Sequence, residues 1–160
     1  MPCHHAPMST NEPAVRTGLV VVDHGSRRAE SNAMHEQLVA MVADVVPYDI
    51  VEAAHMELAE PSIADAFARC VAAGAERVII SPYFLLPGRH WSSDIPDLAA
   101  AAARAHPGVT YLVTAPLGLH PLMAQVVAAR VAHCVAHAGG HADECEVCAG
   151  TGRCALSHNV

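Results

Sequence analysis

Residues 19–28 read LVVVDHGSRR, and this stretch decides the fold. Four apolar, mostly β-branched residues are typical of a strand buried on both faces of a sheet, and the polar residues that follow end the strand abruptly. In parallel α/β sheets, ligands bind at the carboxyl ends of the strands. The sequence therefore places His24 in a loop where chemistry is expected.

Strand and helix patterns alternate four times along the chain. Further strands are predicted at residues 49–54, at 77–86 including the exit of that strand, and at 110–114, and helices at 30–46, 60–74, 93–106 and 121–138. The apolar spacing of the first helix is carried by Met34, Leu38, Met41, Val42 and Val45, and Ser93 or Asp94 is the predicted cap of the third. This alternation predicts an α/β fold: a single domain with a four-stranded parallel sheet and flanking helices, followed by a cysteine-rich C-terminal tail. We expect a disordered leader over residues 1–16, the α/β domain over 17–138 and the tail over 139–160.

Composition excludes several functional classes. The net charge of −7 argues against general nucleic-acid binding. No apolar run approaches the roughly 20 residues that cross a bilayer, and the first residues resemble neither a secretion signal nor a transit peptide. We therefore expect no nucleic acid and no membrane as partners. All nine basic residues are arginines, and Arg27 and Arg89 lie in polar loops where a guanidinium suits a carboxylate ligand.

A histidine follows each predicted strand, namely His24, His55, His90 and His120. Imidazoles on one rim of a sheet indicate a transition-metal site or proton transfer near neutral pH. A histidine that only bonds the backbone remains the alternative for His55, and for His120, which begins a helix. Glu57 is a further candidate ligand or proton carrier, unless it only complements the dipole of the following helix.

Four cysteines, Cys134, Cys145, Cys148 and Cys154, end the chain with the spacing C-x10-C-x2-C-x5-C. Thiolates in a short glycine-containing segment indicate a metal site, and four cysteines bind either zinc or an iron-sulfur cluster. Disulfides are the alternative. Cys70 lies outside this set and is predicted to be a core residue of the second helix.

Several long motifs then resemble one family. In order, VVVDHGSRRAESN (20–32), VEAAHMELAEPSI (51–63), RVIISPYFLLPGRHWSSDIP (77–96) and YLVTAPLGLHPLM (111–123) are similar to the sirohydrochlorin chelatases of the SirB and CbiX type, which are class II chelatases. The tail ADECEVCAGTGRC (142–154) resembles that of plant-type members, which insert ferrous iron and carry a [2Fe-2S] cluster.

The resemblance implies a specific set of roles. Family members insert a divalent metal ion into sirohydrochlorin, a carboxylate-rich tetrapyrrole, and the short form works as a homodimer. The metal-binding histidines match His24 and His90, with His24 as the proton acceptor. The matching substrate-binding residues are Glu57, Leu85, Leu86, Pro87, Gly88 and Arg89, to which the loop position adds Arg27. The cluster ligands match Cys134, Cys145, Cys148 and Cys154.

Two other functions stay open from the sequence. One function is cobalt insertion in cobalamin biosynthesis, because a given set of protein ligands intrinsically binds Co²⁺ more tightly than Fe²⁺. A non-catalytic protein that stores or senses metal or an iron-sulfur cluster is the other. The expected location is the cytoplasm for a bacterial source and the plastid for a plant or alga.

Overall fold

A computed structural model describes residues 15–156. The predicted disordered leader, residues 1–16, lies outside these residues except for its last two. The strands are β1 (Thr17–Asp23), β2 (Ile50–His55), β3 (Arg77–Pro82) and β4 (Thr110–Val113). The helices are α1 (Ala29–Ala43), α2 (Ile63–Ala72), α3 (Ile95–Arg104) and α4 (Pro121–Ala138), and a π-helical turn, His90–Asp94, precedes α3.

The four strands form one parallel sheet in the order β2-β1-β3-β4. β1 is central and its residues from Gly18 to Val22 are buried. Val20 and Val22 face one layer of the core, whereas Leu19 and Val21 face the other. The prediction of an α/β fold with a four-stranded parallel sheet is therefore confirmed.

Helices cover the two faces of this sheet. α2 and α3 pack on the face of Val20 and Val22, where Phe67 and Ile95 are completely buried. α1 packs on the other face through Val39. Cys70 of α2 is completely buried, as predicted, and burial raises the pKa of its thiol to about 12.

Local sequence explains the ends of α2. The Ser62 hydroxyl accepts a hydrogen bond from the Asp65 backbone N–H at 3.2 Å, and the Asp65 carboxylate accepts one from the Ser62 backbone N–H at 3.0 Å. This reciprocal capping box starts the helix. Just beyond the helix, Gly74 has a φ of 95°, a left-handed conformation that glycine adopts without steric cost.

Two predicted helix descriptions are wrong. α1 ends at Ala43 and not at residue 46, because the chain closes there in a turn in which the Val45 N–H bonds the Val42 carbonyl. Of its predicted apolar residues, Met34, Met41 and Val45 are exposed, whereas the helix buries His35 and Val39.

The predicted side-chain cap of α3 is also wrong, although Asp94 does occupy the N-cap position of this helix. Ser93 and Asp94 lie within the π-helical turn, and no side chain caps the helix. The Asp94 carboxylate is instead hydrogen-bonded to His90.

The chain divides into two compact units, Met1–Gly118 and Leu119–Val160. The first contains the sheet and α1 to α3, and the second contains α4 and the cysteine-rich segment. The boundary that the sequence predicts after residue 138 stays a prediction. Among residues 15–156, no helix has the combined length and apolar character needed to cross a bilayer.

Candidate active site

The loops that follow β1 and β2 are bonded to each other through the backbone. The Met56 N–H donates to the Asp23 carbonyl at 2.8 Å, and the Glu57 N–H donates to the His24 carbonyl at 3.1 Å. Gly25 has a φ of 82° in this turn, and its α-carbon faces the Glu57 carbonyl so closely that a β-carbon would lie 2.0 Å from that oxygen. The two loops therefore place the side chains of His24 and Glu57 together.

His24 contacts both other candidate residues of this site. Its Nε2 lies 2.7 Å from Glu57 Oε1, and its ring centroid lies 5.3 Å from that of His90. The side chains of His24, Glu57 and His90 are 41%, 53% and 44% exposed, so solvent reaches all three. An imidazole nitrogen at this distance from a carboxylate requires a proton or a cation between them.

The π-helical turn fixes the orientation of His90. His90 Nδ1 lies 2.8 Å from Asp94 Oδ2, and this contact makes Nδ1 the protonated nitrogen of a neutral ring. The lone pair of Nε2 is then free to bind a metal ion. A carboxylate that holds a ligating histidine in this way is common at metal sites, because it sets both the tautomer and the ring orientation.

A cavity of about 560 Å³ opens beside these residues at the carboxyl end of the sheet. The residues that line it are Met56, Glu57, Arg89, His90, Asp94, Asp97 and Leu98. Arg89 is 85% exposed, with its Nε 3.5 Å from Asp94 Oδ1. The remaining predicted substrate residues of this loop, Leu85, Leu86, Pro87 and Gly88, are exposed. Arg27 is exposed in the loop after β1 and forms no ion pair with any residue of the described chain.

The other two strand-end histidines have different environments. The side chain of His120 accepts a hydrogen bond from the Leu122 N–H at 3.2 Å and so caps α4, which confirms the alternative of a helix-start role. His55 is completely buried, with Nδ1 2.5 Å from Asp23 Oδ1. It therefore bonds a carboxylate rather than the backbone carbonyl that the alternative had foreseen.

Sequence reasoning missed two side chains near this site. A carboxylate before a helix predicts a cap for Asp94, whereas its position four residues after His90 indicates a side-chain pair. The sequence gives no signal for His35, which is buried in α1, because a histidine in the middle of an amphipathic helix has no distinguishing pattern.

The four tail cysteines lie in the second unit, where α4 contributes Cys134. Cys145 Sγ and Cys148 Sγ are 3.3 Å apart, and Cys154 Sγ lies 3.7 Å from the Cys134 carbonyl oxygen. The five cysteines that the structure describes are all free, so the described chain contains no disulfide.

The pKa values of two thiols in this segment, Cys145 and Cys154, are shifted in opposite directions. Hydrogen bonds with the Cys148 side chain and with backbone N–H groups lower the pKa of Cys145 below its usual range. A hydrogen bond with Cys134 raises the pKa of Cys154 to about 11. Beside Cys145, an ion pair joins Arg130 Nη2 and Glu146 Oε1 at 2.7 Å.

Comparison with known protein families gives a match over most of the chain. The family model described as CbiX matches residues 18–134. A chloroplastic sirohydrochlorin ferrochelatase of Arabidopsis thaliana is 59% identical over 139 residues, which are 87% of this chain and 62% of that protein. The chain thus spans less than two thirds of the length of this relative.

Two solved structures have a similar fold. The sirohydrochlorin chelatase SirB from Bacillus subtilis subspecies spizizenii, in complex with cobalt, has a TM-score of 0.70 and 27% identity over 73% of this chain and 50% of its own. A putative cobalamin biosynthesis CbiX protein from Marinobacter aquaeolei has a TM-score of 0.65 and 27% identity, covering 76% of this chain and 98% of its own.

Proposed function

The chain belongs to the CbiX family of chelatases, and from this premise we propose that it is a sirohydrochlorin ferrochelatase that inserts Fe²⁺ into the tetrapyrrole. The observation that carries the proposal is the grouping of His24, Glu57 and His90 beside an open cavity at the carboxyl end of the sheet. The 59% identity to the Arabidopsis ferrochelatase supports iron as the inserted metal.

The arrangement suits an ion that must be passed on. Two imidazoles and one carboxylate, all solvent-accessible, offer fewer ligands than the closed four-ligand sites that retain a structural ion. Asp94 keeps the Nε2 lone pair of His90 available, so we assign His90 as the ligand that receives the hydrated ion. His24 Nε2 can complete the site when its lone pair faces the ion.

Metal insertion also needs acceptors for protons. Two pyrrole protons leave the macrocycle as the divalent ion enters, and no oxidation state changes. We assign His24 Nε2 as the acceptor of the first proton, with Glu57 at 2.7 Å available to stabilise the imidazolium that forms. The second proton passes to solvent water, which reaches all three side chains. One nitrogen cannot hold the ion and a proton together, so His24 accepts its proton after the ion has moved into the ring.

The substrate is rich in carboxylates, and we propose that Arg89 and Arg27 bind them. Arg89 lines the cavity, and Arg27 follows His24 by three residues. A guanidinium binds a carboxylate through two parallel hydrogen bonds. The exposed apolar side chains of Leu85 and Leu86 offer contact surface for the flat macrocycle.

We propose that the tail holds a [2Fe-2S] cluster on Cys134, Cys145, Cys148 and Cys154. The donor set fits this group, because Cys145 Sγ and Cys148 Sγ at 3.3 Å are near the spacing of ~3.8 Å that two thiolates on one tetrahedral ion adopt. The lowered pKa of Cys145 favours the thiolate form that a metal binds. Such a cluster supplies electron-transfer or redox-sensing chemistry, which the insertion reaction itself does not use.

We also propose that the protein works as a homodimer. No side chain of α4 is fully buried, and Leu122, Val126, Val127, Val131 and Val135 are each more than half exposed. A row of exposed valines on one helix is typical of an interface. Sedimentation should give the mass of a dimer, and Val127→Glu with Val131→Glu should reduce it to that of one chain.

The test is a multiple-turnover assay with sirohydrochlorin and Fe²⁺ under anaerobic conditions, followed by the absorption of the macrocycle. His24→Ala and His90→Ala should each lower kcat/KM by about 10²-fold or more, the usual contribution of a positioned acid-base group. His106→Ala is the matched control, because this histidine stacks on Phe67 outside the candidate site. Full activity in either site variant would remove that histidine from the mechanism.

The same assay separates the remaining alternatives. A storage or sensing protein would bind metal without accelerating the spectral change, which would refute the enzyme. A higher kcat/KM with Co²⁺ than with Fe²⁺ would assign the protein to cobalt insertion. If the source is a plant or an alga, the chloroplastic Arabidopsis relative supports a plastid location.

A further inference from the structure

Three side chains meet beneath the loop that carries His24, and the proposed reaction uses none of them. Asp23 ends β1, His35 lies in α1 and His55 ends β2. His35 and His55 are 4% and 0% exposed, and one donor atom from each of the three residues lies within 4.8 Å of the other two. Within residues 15–156, no other group of three or more histidine, cysteine, aspartate or glutamate side chains meets this spacing.

Both histidines have a buried nitrogen without a hydrogen-bond partner. His35 Nε2 donates to the Val21 carbonyl at 3.1 Å, so Nδ1 carries the lone pair of a neutral ring, and this atom has no partner. It faces Asp23 Oδ2 at 3.8 Å. Two electron-rich atoms that face each other in a largely buried place repel unless a proton or a metal cation lies between them. His55 donates from Nδ1 to Asp23 Oδ1, and its Nε2 is likewise without a partner.

We propose that Asp23, His35 and His55 form a binding site for a divalent first-row transition-metal ion, separate from the site of the inserted ion. Two imidazoles and one carboxylate suit Zn²⁺, Fe²⁺ or Co²⁺ rather than the hard ions Mg²⁺ and Ca²⁺. Bonds of about 2.0–2.2 Å bring tetrahedral ligands to roughly 3.4 Å from each other. The 3.8 Å between His35 Nδ1 and Asp23 Oδ2 is close to that separation.

Proton balance allows His55 to be the third ligand. When His55 Nδ1 binds the ion, its proton moves to Nε2 of the same ring, so no proton needs to leave the protein at this residue. The Asp23 side chain is 24% exposed, and this side offers the entry path.

Burial distinguishes this ion from the one that the enzyme inserts. His35 and His55 are shielded, whereas the side chains of His24 and His90 are 41% and 44% exposed. The buried site therefore suits a resident ion. It would join β1, α1 and β2, and Asp23 Oδ1 also accepts the Gly25 N–H at 2.9 Å, so the ion would stabilise the turn beside His24.

The test counts bound Co²⁺ by anaerobic equilibrium dialysis of the full chain. His24→Ala with His90→Ala forms the background, which removes the proposed site of the inserted ion and leaves the cysteine tail identical in every sample. Adding His35→Gln or Asp23→Asn should each remove one Co²⁺ per chain. Adding His106→Gln, a control at a histidine just beyond the end of α3 and outside the proposed site, should remove none.

A second measurement needs no substitution and decides the matter if a variant does not fold. In ¹⁵N-labelled unmodified protein, Zn²⁺ should shift the ring nitrogen resonance of His35 Nδ1 and give a new, slowly exchanging signal. An unmoved resonance at saturating Zn²⁺, or full Co²⁺ content in folded His35→Gln or Asp23→Asn, would overturn the proposal. Because both readouts are metal binding without sirohydrochlorin, the outcome is independent of the ferrochelatase assay.

Discussion

Replacing Gly25 by alanine is the sharpest test of how the candidate site is held together. Gly25 has a φ of 82°, and an added β-carbon would lie 2.0 Å from the Glu57 carbonyl oxygen and 3.1 Å from His55 Cβ. The left-handed conformation alone costs an L residue roughly 1–2 kcal/mol. The first contact is with backbone, so no side-chain rotation relieves it.

The clash sets the expected size of the effect on activity. Real β-carbons essentially never approach other atoms within 3.0 Å, so the loops of His24 and Glu57 must separate by about 1 Å. That movement breaks the 2.7 Å contact between His24 Nε2 and Glu57 Oε1. A displacement of about 1 Å at a reacting centre can lower a rate by ~10²-fold, and we expect kcat/KM for metal insertion to fall by about that factor.

Gly108→Ala is the matched control. Gly108 has a φ of 89°, but nothing lies within 4 Å of a β-carbon added there. Urea unfolding should show the same backbone penalty of roughly 1–2 kcal/mol in both variants, with an additional loss only for Gly25→Ala. The insertion assay should find Gly108→Ala as active as the unmodified protein. Equal activity of the two variants would refute the coupling of the two loops.

Three further predictions concern single side chains. Phe67→Ala should lower the free energy of unfolding by about 3–5 kcal/mol in urea titrations, because the ring is completely buried between α2 and the sheet. A loss below about 1 kcal/mol would contradict this packing. Asp94→Asn should lower kcat/KM by about 10–100-fold, because it removes the carboxylate that orients His90. The far-UV circular dichroism spectrum should stay unchanged. Unaltered kinetics would exclude a role of Asp94 in orienting His90. Hydrogen bonds from Ser62 hold the pKa of Asp65 below its ordinary value of 3.8, so this stabilisation is present above pH 3.8 and is lost as the pH falls through the lowered pKa. Ser62→Ala should return the pKa of Asp65 towards 3.8 in an NMR titration, and an unchanged pKa would contradict the capping box.

The fold could be predicted because its strongest signals are local. The run from Leu19 to Val22 is apolar without alternation, as a strand covered on both faces requires, and its polar exit marks the carboxyl edge of the sheet. The order β2-β1-β3-β4 could not be predicted, because it depends on contacts between residues distant in sequence. The buried face of α1 was misjudged for a related reason: Met41 is exposed, whereas His35 is buried with its Nε2 bonded to the Val21 carbonyl of the central strand.

The candidate site was only partly accessible from the sequence. His24, Glu57 and His90 were found because each follows a strand in a polar motif. The role of Asp94 is not evident from the sequence, because a carboxylate before a helix normally suggests a cap. Only the geometry of the π-helical turn directs the Asp94 carboxylate towards His90. His35 lies beside Asp23 because α1 packs on the sheet. The spacing of residues along the sequence does not predict this packing.

The parallel pairing of β1 with β2, which places Asp23 opposite His55, has a consequence for how this protein could evolve. Each strand advances about 3.3 Å per residue and its side chains alternate between the two faces of the sheet. Inserting or deleting one residue within β1 would therefore move the His24 imidazole, which follows this strand, by that distance and reverse its direction. Length changes beyond the strand ends would leave the spacing between the strand-end side chains intact. We therefore expect natural variation in chain length to accumulate outside the strands, while new substrate preferences arise by exchange of side chains in the loops.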